Sequence, residues 1–101
     1  MKLILASVFE ADVAEISVRL AVEATPEIAE RWEADLAAAL ARLLEWPELG
    51  RVRRELHPAG IRSWGLKEFP NYLLFYRVEG EDLTALRVRY GGMSLPELFS
   101  S

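Results

Sequence analysis

The chain has no cysteine, which excludes disulfides and thiolate metal sites. His57 is its only histidine, so a histidine-rich zinc site is excluded as well. No apolar run approaches the roughly 20 residues that a membrane-spanning helix requires. There is no internal repeat, linker or low-complexity tract. The opening MKLILASVFEAD has one lysine and a short apolar run, but acids follow within a few residues. It reads as a first strand and not as a cleaved signal peptide. A cytoplasmic location, no membrane partner and no cofactor are the expectations.

What is present fits one globular domain over residues 1–101. Hydrophobic residues make up 51% and charged residues 28%, enough apolar material for one core but not for two. The net charge of −4 is unevenly spread. Residues 1–47 hold four basic and nine acidic side chains, whereas residues 51–90 hold eight basic and five acidic. An anionic partner is therefore expected to meet the second half. As a whole the chain is poorly suited to gripping a phosphate backbone, and specific DNA binding by the chain alone is not expected.

Lys2 to Val8 reads as a short strand. From Phe9 the apolar period becomes helical, with Val13, Ile16 and Leu20 on one stripe, and predicts a helix over 9–23. Thr25-Pro26 opens a second helix, threonine as cap and proline at the first turn, and Ile28, Trp32, Leu36, Leu40 and Leu43 give it an apolar stripe. Pro47 predicts its end near Glu45. Residues 48–60 read as loop and 61–68 as a strand. Tyr72–Val78 and Leu83–Tyr90 form a hairpin about Gly80-Glu81-Asp82, and Leu95 to Phe99 a last helical turn. The result is an α+β chain of order β-α-α-β-β-β, a helical hairpin packed on one face of a mainly antiparallel sheet.

Strand alternation predicts the faces. Leu74, Tyr76 and Val78, with Leu86 and Val88, are expected under the helices. Leu73, Phe75 and Arg77, with Arg87 and Arg89, are expected on the other side, joined by Arg62 and Trp64 from the 61–68 strand. Because unpaired buried arginine is costly, that second side is expected to be open, an apolar strip edged by cations. Trp32 is expected in the core, Trp46 under the 47–50 turn, and His57 at the surface. Tyr90 reads as a packed aromatic at the strand end, with a contact or general-acid role as the alternative. The run Arg51, Arg53, Arg54 is expected to be solvated beside Glu48 and Glu55, and the helix carboxylates to form a solubility face.

The segment PEIAERWEADLAAALARLLEWPELGRVRREL followed by GIRSWGLKEFPNYLLFYRVEGEDLTALRVRYGG resembles the RelE/ParE superfamily of toxins from type II toxin–antitoxin pairs, its ParE-like branch in particular. The resemblance covers nearly the whole chain. It implies a cognate antitoxin whose C-terminal segment lies across the sheet, and the expected contact residues are Arg62, Trp64, Leu73, Phe75, Arg77, Arg87, Arg89 and Tyr90. It also implies one of two activities: DNA gyrase inhibition or ribosome-dependent messenger-RNA cleavage. A homodimer and a toxin–antitoxin hetero-oligomer are both compatible with it. Metal-free RNA cleavage needs basic groups to activate a 2′-hydroxyl and stabilise the phosphorane. Of the positions that match the ribonuclease branch, Arg62 is retained, while Trp64, Leu73 and Met93 replace basic residues. A binding mode of action is therefore expected over an enzymatic one. A module that binds an antitoxin without toxicity is the further alternative.

Overall fold

The computed structural model describes residues 1–91. The elements are β1 (Lys2–Leu5), α1 (Ser7–Glu23), α2 (Pro26–Glu45), β2 (Arg51–Val52), β3 (Arg62–Gly65), β4 (Tyr72–Glu79) and β5 (Asp82–Tyr90). Among the described residues they form one sheet of order β1-β5-β4-β3-β2. β1 pairs parallel to β5, and the other pairs are antiparallel. The expected α+β arrangement, two helices on a mainly antiparallel sheet, is the one observed. The helical turn expected at Leu95–Phe99 lies outside the described residues.

Local chemistry accounts for the second helix. The Thr25 hydroxyl accepts the Ile28 N–H at 3.1 Å, satisfying one of the orphan donors of the first turn, and Pro26 occupies a position that needs no donor. Trp32, Leu36 and Leu43 of α2 then bury against Leu74, Tyr76, Leu83, Ala85 and Val88. Phe9 and Ile16 join this core from α1. β1 is shorter than expected, because α1 already starts at Ser7.

Tyr76 fixes the far end of α2. Its hydroxyl donates to the Pro47 carbonyl at 2.6 Å and accepts the Gly50 N–H at 2.8 Å. A Cβ built on Gly50 would lie 2.6 Å from the Tyr76 ring, so the glycine is required by close approach. Burial pushes the Tyr76 hydroxyl pKa up from its ordinary value, against the opposing hydrogen bond from Gly50. Trp46, expected beneath this turn, is instead 61% exposed. Tyr76 reaches in from β4 and holds the place the tryptophan was expected to take.

Two face assignments are corrected by the register. β4 and β5 carry a bulge: Phe75 pairs with Arg87, yet Tyr76 pairs with Ala85, so Leu86 is the extra residue. Leu83 and Ala85 therefore point toward the helices along with Val88, and Leu86 packs on the opposite side with Phe75. β3 is corrected as a unit. Arg62 pairs with Tyr76 and Trp64 with Leu74. Paired residues share a face, so both lie on the helix side and not beside Phe75. Small Ser63, buried, takes the position opposite Phe75.

Candidate partner-binding surface

The second face of the sheet is closed over at its centre. Leu56 and Ile61, from the segment between β2 and β3, cover Phe75, which is 0% exposed, and Leu73 and Leu86 pack at the margin. The expected open strip is therefore a second, smaller core. Arg53 braces this segment: it donates to both Glu55 and Ser63, and its hydrogen bond holds the Glu55 carboxyl below the usual carboxylate range. Its side chain is 13% exposed, which corrects the expectation of a solvated run at this position.

The arginines of the sheet have internal work. Arg77 pairs with Glu79 at 3.0 Å. Arg87 and Arg89 converge on Asp12 of α1, at 2.7 and 3.2 Å, and Arg89 also reaches Glu15 at 3.5 Å. Asp12 in turn accepts the backbone N–H of Val88 at 3.2 Å. β1 pairs with β5 only as far as Ala85. Beyond that point the Asp12 carboxylate takes the role that a neighbouring strand's carbonyl would have played, and α1 closes the sheet edge.

Asp12 was expected on an exposed helix surface, and so was Asp35. Both are buried. Asp35 accepts the N–H groups of Glu68 and Phe69 at 2.9 and 3.1 Å, tying α2 to the turn before β4. The signal was their spacing. Asp12 falls between Phe9 and Ile16, and Asp35 between Trp32 and Leu36, on the stripes that face inward.

Of the remaining predicted residues, Arg62 and Trp64 lie on β3, where it meets α2. Half-buried Trp64 lines a concavity of about 420 Å³ with Ala38, Ala39, Arg42 and Lys67. Arg62, two residues before Trp64 on the same face, donates through Nη1 alone to the carbonyls of Glu48 and Gly50, at 3.1 and 2.7 Å. Tyr90 stands elsewhere, at the end of β5. It packs edge-on against Tyr72 at 5.5 Å while 49% exposed, and Tyr72 meets Trp32 at 5.7 Å. Thus Arg62 and Trp64 come together, Leu73 and Phe75 form a separate cluster, and Arg87 and Arg89 belong to the α1–β5 lock. Among the described residues, no group of three or more His, Asp or Glu is placed to hold a metal ion, and no helix is long and apolar enough to cross a membrane.

A helical hairpin on a mainly antiparallel sheet, with its sheet arginines bonded internally and a cation-flanked indole at one seam, defines a small α+β domain. Its residues 3–95 match the family described as the ParE toxin of the type II toxin–antitoxin system parDE, and the chain belongs to that family. It is 41% identical over 54 residues to Toxin ParE3 of Caulobacter vibrioides, a stretch covering 54% of this chain. The chain spans about half, 50%, of that relative's length. A solved structure titled as the chromosomal ParDE TA system from P. aeruginosa has the same fold. The TM-score is 0.75 at 24% identity, over 89% of this chain and 95% of that one.

Proposed function

We propose that this chain is the toxin of a type II toxin–antitoxin pair, that a cognate antitoxin neutralises it, and that it acts by stoichiometric binding to a gyrase-like target. Membership of the ParE toxin family supports the first part. The observation that carries the mode of action is the commitment of the arginines. Arg77, Arg87 and Arg89 are each in ion pairs. A ribonuclease of the related branch needs cations presented to a phosphate, and releasing these would break internal bonds. The antitoxin contacts are proposed at Arg62, Trp64, Leu73, Phe75, Arg77, Arg87, Arg89 and Tyr90. Those of the second face engage after displacement or extension of the cover supplied by Leu56 and Ile61.

The test is induced expression in a bacterial host, with growth, messenger-RNA integrity and plasmid supercoiling followed together. Growth arrest with intact messages and altered supercoiling is the expected result. Codon-phased message cleavage would overturn the mode of action. Unaffected growth would leave an antitoxin-binding module without toxicity.

A further inference from the structure

Two cations, Arg42 and Lys67, line the concavity at the α2–β3 seam, and Arg62 stands beyond it, two residues before Trp64 on β3; among the described residues none of the three is in an ion pair. Arg42 and Lys67 are exposed and have no hydrogen-bond or charge partner among the described residues. Arg62 spends one nitrogen on two neutral carbonyls, so its charge is not neutralised, and among the described residues its remaining N–H groups have no acceptor. Asp35, the carboxylate that lines this concavity, is buried and already accepts two backbone N–H groups, while Glu48 stands beside Arg62. Between Arg42 and Lys67 lies a concavity with an indole wall, Trp64, and a floor of Ala38 and Ala39. On a chain of net charge −4 this is a local inversion of sign with an apolar centre.

We infer that the α2–β3 seam seats an acidic, amphipathic segment of the antitoxin, one apolar side chain entering against Trp64 and flanking carboxylates meeting Arg42, Arg62 and Lys67. This rests on the toxin–antitoxin reading given above. It adds Arg42 and Lys67 to the partner surface and moves the charged part of that surface from the sheet face to its edge. The occupant follows from complementarity. An apolar-centred hollow rewards a side chain that a polyphosphate lacks, and the acidic remainder of the chain repels a long polyanion. The other large groove of the hairpin, between α1 and α2, is apolar too, but Glu10 and Glu33 line it and would repel an acidic segment.

The test uses the full chain purified away from its antitoxin and titrated calorimetrically with that antitoxin. The variants are R42E/K67E, Trp64→Ala and, as a control outside the seam, Arg54→Glu. Circular dichroism confirms that each is folded. R42E/K67E alters only exposed side chains, so it keeps the test decisive should Trp64→Ala unfold. The expected result is at least a tenfold rise in Kd for R42E/K67E with a shallower salt dependence, and less than a threefold change for Arg54→Glu. A wild-type Kd in R42E/K67E overturns the inference and leaves the antitoxin reading standing. No antitoxin binding by the wild-type chain overturns both. Binding of a single-stranded RNA 12-mer that is lost in R42E/K67E, with antitoxin affinity unchanged, would assign the seam to nucleic acid and overturn it as well.

Discussion

Two side chains carry more of this fold than their size suggests, and each makes a measurable prediction. Asp12 neutralises two arginines and caps a sheet N–H from a nearly dry position, 3% exposed. Removing a buried carboxylate that holds two arginines and a strand N–H costs about 3–5 kcal/mol, the range for breaking a buried pair. Asp12→Ala is expected to lower Tm by at least about 12 °C, on a scale of about 4 °C or more per kcal/mol for a domain of this size. Asp12→Asn keeps an acceptor for Val88 and should lose less. Equal losses in the two thermal melts would rule out the edge-capping role. Tyr76 makes the second prediction. Its folded-state pKa lies above the unfolded value of about 10, so its contribution to stability is complete below pH 10 and falls as pH rises toward the folded pKa. Tyr76→Phe is expected to cost about 1–3 kcal/mol at neutral pH by orphaning the Gly50 N–H and the Pro47 carbonyl. The variant should also flatten the alkaline slope of Tm between pH 9 and 11 relative to wild type. A wild-type slope in the variant would assign that slope to other groups.

At the scale of elements, capping chemistry and the faces of β4 were legible, while the faces of β3 and of β5 across its bulge were not. Thr25-Pro26 announced α2 to the residue, and Thr25→Ala is expected to cost about 1 kcal/mol, read as a fall in Tm of roughly 4–8 °C. The order β-α-α-β-β-β was readable except for the two-residue strand β2, which falls in the stretch expected to be loop, and the β4–β5 hairpin was readable because apolar period and turn residues agree there. The bulge was missed although β5 contained its trace. Leu83 and Ala85 share one alternation phase and Leu86 and Val88 the other, so no unbroken strand can bury all four on one side. β3 failed for a different reason. Four residues are too few for alternation to settle a face, and Arg62 looked like an outward residue until two carbonyls at the end of α2 were found to receive it. The inward aspartates were hidden by residue type. A carboxylate on a helix is solvated by default, and only the backbone donors of β5 and of the turn before β4 make Asp12 and Asp35 affordable inside.

The candidate surface was the least legible part, because it depends on which cations are left over once the molecule has satisfied itself. Counting arginines by face put Arg62, Arg77, Arg87 and Arg89 in one group; the structure splits them between an edge lock, a hairpin pair and a seam. The parallel β1–β5 pair, with Lys2 opposite Asp82, adds a constraint in time. During synthesis the N-terminal strand and both helices are made before the strand they pack against exists. The hairpin must wait, with Phe9, Ile16 and Trp32 unsheltered, until almost the last described residues are made. Ribosome-stalled chains ending before β5 are expected to be cut rapidly by protease within α1 and α2, and chains extended past Tyr90 and clear of the exit tunnel to resist. The order of synthesis thus sets the order of closure: the shape cannot shut before β5, the last strand among the described residues, arrives.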